Sequence, residues 1–525
     1  MMAKEKSGTE KILLEDKTFG MRLYDEKASL AFLEFLFILF NVDWKSSLEK
    51  DDQDIVKIDP VTGPSHLVLR CLVFNNGVLS RCESWDDWER TFKAQFEGEK
   101  FFPADWNADY LKKAFRDSKE GFENFARVVR LVRGGSFTAA QAGSDSWANR
   151  FLFPWSSAQV YPDIDPKGSD ANATIYCKRH FFTHNGAIAF LMLLHAEKCR
   201  ELFEEIENRF KTERVNSLMT KLCAALEGDW KDRHPVTLSS GSRLPDTFVS
   251  SETSLRRADL LCEDLLRLLR LKLKIEDLVD PMTRLMGLHL LCYFIETARS
   301  STDDPRLAKN GRPFFLCEVI RKEYSAIRAL SRRCFQQNDN LGLEVLRIGL
   351  DRRLEAVYRS SDKEEGRLKA FQKLDITAGE FKNTCAELIR EGKKKELQER
   401  MEEALEDKYR KHLGKFLRTM GSSIGLSTNL FTNAYRYAPS DELIAAVTLA
   451  NVDQSRLPLD QFLRKLVEKY GLIFGQEGLE YLPEELQPDQ NHLKKNRELL
   501  VKRLHALGVL AHLSDGCEYV NNHYL

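Results

Sequence analysis

Metal-binding side chains cluster in the N-terminal half of the chain. They are Cys177, His180, His184, His195 and Cys199. The spacings Cys-x-x-His-x-x-x-His and His-x-x-x-Cys are ones that a zinc site uses. However, His195 and Cys199 fall on an apolar predicted helix, where small buried side chains are common, and the chain has no Cys-x-x-Cys pair. We therefore expect neither a metal nor a cofactor here, and a zinc site is the alternative.

Catalytic motifs are weak elsewhere. The stretch "YPDID" supplies Asp163 and Asp165, but no Glu-x-Lys follows to complete a nuclease site of that type. The chain lacks both Gly-x-x-x-x-Gly-Lys-Ser/Thr and Gly-x-Gly-x-x-Gly. The stretch "GSSIGLSTN" (421–429) offers a backbone nest for an anion, although a loop between helices is the simpler interpretation. The sequence therefore predicts a protein that is not an enzyme.

Basic residues on the last predicted helix (489–507) suggest DNA binding. The side opposite to its leucines, with the flanks, carries the predicted DNA-binding residues Asn491, Lys494, Lys495, Arg497, Lys502 and Arg503. Such a helix can lie in a major groove and neutralise phosphates. Against this, acidic residues outnumber basic ones between 440 and 525, and the acidic segment "GQEGLEYLPEELQPDQ" precedes the helix. These features favour contact with a protein, or a charged face that serves only solvation, over contact with DNA.

A second basic cluster consists of Arg328, Arg332 and Arg333 on one predicted helix. Contact with phosphates or with an acidic partner is one interpretation. Charge on the outer face of a helix usually serves only solvation, and we prefer that interpretation.

The elements around the basic helix form a recognisable order. Ser440 caps a predicted helix that ends near Asn451, and Pro458 begins another that Gly471 ends. After the basic helix, two strand-like runs at 509–513 and 517–520 flank a turn. Three helices followed by a hairpin is the order of a winged-helix domain, which we therefore predict at the C-terminus.

The rest of the chain has helical periodicity. Helices are predicted at 26–41, 83–96, 108–133, 185–210, before and after Asp280-Pro281, at 315–336 and 339–360, and from a Thr377/Glu380 capping box to about 421, with a possible break at Gly392. A Ser/Pro/Gly-rich linker covers 234–251. The prediction is a mainly α, multi-domain protein. Its parts are an N-terminal helical domain (1–233) with an aromatic insertion, a central helical domain (252–376), a charged helix with a connector (377–438) and the winged-helix-like domain (439–525).

Composition limits the class of protein. The chain has 525 residues, a formal net charge of −1, 43% hydrophobic and 30% charged residues. These values are typical of a globular protein, and they exclude a global attraction to nucleic acid or membrane. Its eleven scattered cysteines favour a reducing compartment. The longest apolar runs fall short of the roughly 20 residues that span a bilayer, and no signal peptide opens the chain, so we expect a cytoplasmic protein.

Several phrases resemble a known family. They include "KRHFFTHNGAIAFLMLL", "GLHLLCYFIETA", "IGLSTN", "YRYAPSDELIAAVTLANV" and "RLHALGVLAHLSDGCEYV". The chain is similar, from about residue 147 onward and most clearly after Gly421, to large helical proteins encoded in bacterial anti-phage defence clusters. Those clusters are of the methylation-associated or phosphorothioation-dependent restriction type. The resemblance implies an accessory subunit that works beside an ATPase or translocase and a nuclease. It assigns no functional residue.

Together these observations predict a non-catalytic subunit of a defence complex, which binds partner subunits and, through the C-terminal helix, double-stranded DNA. A stand-alone winged-helix transcriptional regulator is one alternative, and it would need a symmetric dimer and a palindromic operator. An effector nuclease with an unrecognised site is the other.

Overall fold

The computed structural model describes residues 11–19, 23, 25–41, 44–45, 79, 82–94, 107–134, 164–166, 175–177, 185–212, 252–303, 311–319, 325–411, 413–431, 433–453, 455–512 and 517–525. Helices dominate this part of the chain and its strands are short, so the predicted mainly α class is confirmed. The predicted linker at 234–251 lies outside the described residues, as does most of the aromatic insertion.

The N-terminal helices are α1 (Leu14–Phe19), α2 (Ala28–Asn41), α3 (Trp85–Ala94), α4 (Asp109–Phe115), α5 (Lys119–Gly134), α6 (Asn185–Leu194) and α7 (Cys199–Thr212). Two predictions of single helices, at 108–133 and 185–210, are wrong. The chain turns at Arg116 (φ 74°) between α4 and α5, and at 195–198 between α6 and α7. Gly186 allows α2 and α6 to pack closely. A Cβ at this position would come within 2.2 Å of the Ala31 carbonyl oxygen.

The strands are β1 (Lys11–Ile12), β2 (Ile164–Pro166), β3 (Ile175–Cys177), β4 (Phe315–Leu316), β5 (Thr377–Ala378), β6 (Ser427–Thr428), β7 (Arg436–Tyr437), β8 (Arg456–Pro458), β9 (Leu472–Ile473), β10 (Leu510–His512) and β11 (Glu518–Asn521). The described strands also form four two-stranded pairs. β1 with β5 and β4 with β9 link distant parts of the chain, whereas β2 with β3 and β6 with β7 join strands close in sequence; of the four, the β4–β9 pair is parallel.

Three long helices form the centre: α8 (Glu252–Leu269), α9 (Ile275–Ser300) and α10 (Ala326–Ser360). Among the described helices, α9 alone has the length and apolar composition to cross a bilayer, and 83% of its most apolar window is buried inside the protein. The prediction that a helix begins at Asp280-Pro281 is wrong, because Pro281 lies inside α9.

Helix α10 is continuous where two helices were predicted. At the expected gap, the Asn338 side chain donates to the Phe314 carbonyl and to the Tyr437 hydroxyl, both at 3.0 Å. The buried Nδ2 group of Asn338 is thus hydrogen-bonded without a break in the helix. The residues at 315 and 316, predicted as helical, form β4 instead.

The charged segment consists of α11 (Glu364–Leu374), α12 (Glu380–Arg390), α13 (Lys394–Lys411) and α14 (Leu413–Ser423). The predicted break at Gly392 is confirmed, with φ at 71°. The predicted capping box is wrong: Thr377 lies in β5, and Gly379 precedes α12 without a side-chain cap.

The C-terminal module, defined here as residues 439–525, contains α15 (Asp441–Asn451), α16 (Leu459–Tyr470) and α17 (Gln490–Ala506). The three helices begin and end where the sequence predicts. Ser440 accepts a hydrogen bond from the Leu443 amide, Gly471 (φ 75°) ends α16, and Asp489 accepts from the Asn491 amide at 2.8 Å. The predicted hairpin is β10–β11, and β8, which sequence reasoning missed, pairs with the other edge of β11.

Within the described residues the main hydrophobic cluster extends from Ile12 to Val520, and the buried side chains of α3, α4 and α5 lie outside it. In the module, α15 packs on α9 and α8 of the central helices. The C-terminal module therefore shares its hydrophobic core with the central helices, which we call the body.

Candidate nucleic-acid interface on the last helix

Helix α17 buries one side against the rest of the module and the body. The buried residues are Leu493, Asn496, Leu500 and Leu504, which lie on one face because they are spaced by three or four positions. This agrees with the leucine face expected from the sequence.

Asn496 connects α17 to the residues that directly follow β4 and β9 by hydrogen bonds. Its Nδ2 donates to the carbonyls of Cys317 (3.0 Å) and Phe474 (2.8 Å), and its Oδ1 accepts from the Val319 amide at 2.9 Å. The side chain is 4% exposed and fully hydrogen-bonded, so it fixes the rotation of the helix. Sequence reasoning missed Asn496, although a lone amide in the leucine stripe was a visible signal.

The opposite side of α17 is open to solvent. Asn491, Lys494, Lys495 and Lys502 are exposed, with Glu498 and His505 on the same side. Among the described residues, Lys494, Lys495 and Lys502 have no carboxylate within ion-pair distance. We call these three residues the lysine face. In the part of the chain that the structure describes, no ion pair engages these lysines, although Glu498 lies on the same side of the helix and offsets part of their charge.

Two of the predicted phosphate contacts are engaged inside the protein. Arg497 forms ion pairs with Asp460 of α16 at 2.6 Å and with Glu518 of β11 at 3.5 Å. Arg503 forms an ion pair with Asp441 of α15 and donates a hydrogen bond to the carbonyl of Pro439, just before α15. These arginines tie α17 to its neighbours, so the free positive charge is smaller than the sequence suggests.

The acidic segment between α16 and α17 lies at the N-terminal end of α17. It contains two 3₁₀ turns, Leu479–Tyr481 and Glu484–Leu486. Together with α17 it borders a cleft of about 410 Å³, lined among others by Asp460, Glu477 and Lys494. A helix that reads bases uses its N-terminal residues. Here two carboxylates, Asp460 and Glu477, lie beside that end, and their charge opposes the close approach that base reading needs.

A buried polar network lies where the module meets the body. Asp264 of α8 accepts hydrogen bonds from the Tyr470 hydroxyl (2.6 Å) and from Lys469 of α16, and contacts His289 of α9 at 2.8 Å. Asp264 and His289 are 0% exposed. Burial lowers the pKa of His289 to about 4, although Asp264 acts in the opposite direction. Burial would raise the pKa of Asp264, but Lys469 and His289 outweigh it and hold that pKa below its usual value.

An ion pair extends this network. Arg257 of α8 donates from Nε (2.9 Å) and Nη2 (2.5 Å) to the Glu296 carboxylate of α9. Its Nη1 donates to the Lys469 carbonyl at 2.7 Å, near the end of α16. Both side chains are nearly fully buried. The Asp–His–Tyr grouping resembles acid–base machinery, but a site with no solvent access meets no substrate. The network therefore positions α16.

The other predicted clusters are dispersed. Arg328 is 5% exposed and paired with Glu318 at 2.9 Å, so it takes no part in a solvent-facing basic patch with Arg333, which is exposed. In the predicted nest, the amides of Ile424, Gly425 and Leu426 donate to carbonyls of α14 residues. They are therefore not directed at an anion.

The predicted metal-binding residues are only partly described. His180 and His184 lie outside the described residues, as does Asp163, and the side chains of Cys177 and Asp165 are not described. Burial lowers the pKa of His195 and raises that of Cys199 to about 12. Among described side chains, no group of three His, Cys, Asp or Glu is placed to hold a metal ion.

No protein-family model, curated protein or solved structure matches this chain.

Proposed function

We propose that this chain is a non-catalytic binding subunit of a bacterial anti-phage defence complex. Its C-terminal module is a winged helix that holds double-stranded DNA through the backbone phosphates. The observation that carries the proposal is the lysine face: Lys494, Lys495 and Lys502 are exposed on one side of a helix whose other side is fixed by Asn496. A fixed helix with free cations is suited to phosphate contact.

The element order supports the winged-helix assignment. Helix α15, strand β8, helices α16 and α17, and the β10–β11 hairpin follow one another, and the sheet order is β10-β11-β8. This is a helix–strand–helix–helix–hairpin arrangement in which the last helix lies beside a small antiparallel sheet. The sequence resemblance implies a role in a defence complex, in which partner subunits carry the nuclease and translocase activities.

The charge distribution favours contact with the backbone over reading of bases. With Arg497 and Arg503 in ion pairs, three lysines remain. Binding through three phosphates gives a slope of log K against log salt of about −2.7, since each phosphate contributes about 0.9. Five free cations would give about −4.5 by the same relation. The expected binding is therefore weak and independent of sequence.

The test is fluorescence anisotropy of the full chain with a duplex across a salt series. Each of Lys494→Ala, Lys495→Ala and Lys502→Ala should flatten the slope by about 0.9, and the triple variant should not bind. Lys373→Ala on α11 is the matched control, because Lys373 is exposed, has no ion pair among the described residues and lies outside the C-terminal module. A full chain that fails to bind at low salt, or a triple variant that keeps its slope, overturns the DNA assignment.

A stand-alone transcriptional regulator is the second candidate. It requires base reading at the N-terminal end of α17, and the acidic segment there argues against it. A palindromic duplex that binds much more tightly than a scrambled one would favour the regulator over the subunit. Co-purification of the chain with the products of neighbouring genes tests membership of a complex.

A further inference from the structure

Two exposed apolar side chains lie at the tip of the β6–β7 hairpin. Leu430 is 56% and Phe431 is 61% exposed, more than the other exposed large hydrophobic residues of the described chain. Phe431 has a φ of 63°, in the left-handed region that a phenylalanine rarely adopts. The surrounding stretch, 427–434, contains no charged residue. The contact that the tip offers is therefore apolar and independent of charge.

Buried groups hold this tip in place. Arg436 is 0% exposed and donates from Nη1 to the Leu430 carbonyl at 2.8 Å and from Nε to Glu318 at 2.5 Å. The Leu430 amide donates to the Thr428 hydroxyl at 3.1 Å. Because the backbone is already ordered, binding through the tip costs little further conformational entropy.

The hairpin is bonded to the same short segment as α17. The Glu318 amide donates to the Tyr437 carbonyl of β7 at 2.9 Å. The neighbours of Glu318 on both sides, Cys317 and Val319, are backbone partners of the Asn496 side chain in α17. The hairpin and the last helix therefore contact one common segment of chain.

The flank of α17 that meets this part of the chain borders the lysine face. Seven positions, or about two turns, separate Asn496 from Arg503, which donates to the Pro439 carbonyl just after the hairpin. Lys495 and Lys502 directly precede these two residues, so they form the next row around the helix, about 100° away. The segment that carries the hairpin therefore packs beside the row of Lys495 and Lys502.

The tip also lies close enough to α17 for one duplex to reach both. The two nitrogens of Arg436 that hold Leu430 and Glu318 belong to one planar guanidinium group. The Leu430 carbonyl is therefore within about 10 Å of the Glu318 carboxylate, on the segment that Asn496 binds. One turn of duplex DNA is about 34 Å long. A duplex that rests on the lysine face extends as far as the tip.

We propose that Leu430 and Phe431 form an apolar wedge that inserts between base pairs of the duplex held by the lysine face. This inference rests on the proposed function and adds an apolar contact to its phosphate contacts. Phenylalanine and leucine are among the side chains that proteins insert from the minor groove, where they partly unstack a base step and bend the duplex. Because unstacking costs free energy, a tip that is ordered beforehand suits this role.

Fluorescence anisotropy of the full chain with a fully paired duplex, across a salt series, tests the wedge. Leu430→Ser/Phe431→Ser should bind about 5- to 150-fold more weakly at every salt concentration, as expected for loss of an aromatic contact with a base. The slope should stay near about −2.7, because an apolar contact releases no counterions. Phe431→Trp keeps a large ring and should retain the wild-type affinity. Tyr524→Ser, at a 45% exposed aromatic outside the tip, is the matched control and should bind as the wild type does.

A duplex with one mismatched pair separates insertion from a loss of fold. Unstacking costs less at a mismatch, so the wild type should prefer this duplex to the paired one, and the tip variant should bind both equally. A wild type that binds DNA without this preference, or a tip variant that binds as tightly as the wild type, overturns the wedge and leaves the phosphate contacts standing. The second result would assign the tip to a partner protein instead. A full chain that binds neither duplex overturns the wedge and the proposed function together.

Discussion

Replacing Arg257 by methionine removes one charge from the buried network and leaves the Glu296 carboxylate, 3% exposed, without its cation. The Lys469 carbonyl also loses its donor. Breaking a buried ion pair costs about 3 to 5 kcal/mol. Since about 1.4 kcal/mol is a factor of ten, the amides of α16 should exchange with solvent about 150 to 5,000 times faster, if the module opens locally.

The double variant Arg257→Met/Glu296→Leu decides whether the pair is the cause. Replacing both charges by apolar groups is neutral or stabilising by about 1 to 4 kcal/mol, and the orphaned carbonyl costs about 1 to 3 kcal/mol. The double variant should therefore lie within about 3 kcal/mol of the wild type, or about 150-fold in exchange rate, and be more stable than the single variant. The assay is hydrogen exchange followed by mass spectrometry of α16 peptides. If the double variant instead loses as much stability as the two single variants together, the two side chains are not coupled and the reasoning is refuted.

Two further predictions follow from burial. The pKa of His289 is about 4 in the folded chain and about 6.5 when exposed. The unfolded chain therefore takes up the proton first as the pH falls, and stability that is full above pH 6.5 declines by about 3 kcal/mol towards pH 4. His289→Gln should remove this part of the acid dependence in urea denaturation; an unchanged pH profile would contradict it. Burial also raises the pKa of Cys199 and Cys292 to about 12, whereas Cys517 is exposed. Brief maleimide treatment should label Cys517 alone of these three by peptide mapping, and equal labelling of Cys292 would refute its burial.

Local signals explain the parts of the fold that the sequence predicts well. Ser440, Gly471 and Asp489 act on amides and carbonyls within a few residues, so the limits of α15, α16 and α17 follow from the sequence. The turn at Arg116, whose carbonyl accepts from the Trp85 side chain, and the continuity of α10 through Asn338 depend on partners outside the local stretch of chain. Local sequence patterns therefore could not predict these two features.

The same distinction applies to the candidate site. Helical periodicity predicts which residues share the outer side of α17, and the lysine face is exposed as expected. Periodicity does not reveal that Arg497 and Arg503 are paired, because Asp460, Glu518 and Asp441 lie on other elements. The charge of a helix face therefore has to be counted after its partners are known.

The hydrogen bonds that close the structure have a consequence for synthesis of the protein. The Ile12 carbonyl accepts from Lys408, which is 396 residues later, and Lys272 donates to the last residue, 253 positions on. At about 5 to 20 residues per second, the ribosome takes about 20 to 80 seconds to supply the partner of Ile12. During that interval the apolar side of α2 leaves the ribosome before α9 and α14 exist to cover it. Newly made chains should therefore depend on chaperones until α14 has left the ribosome.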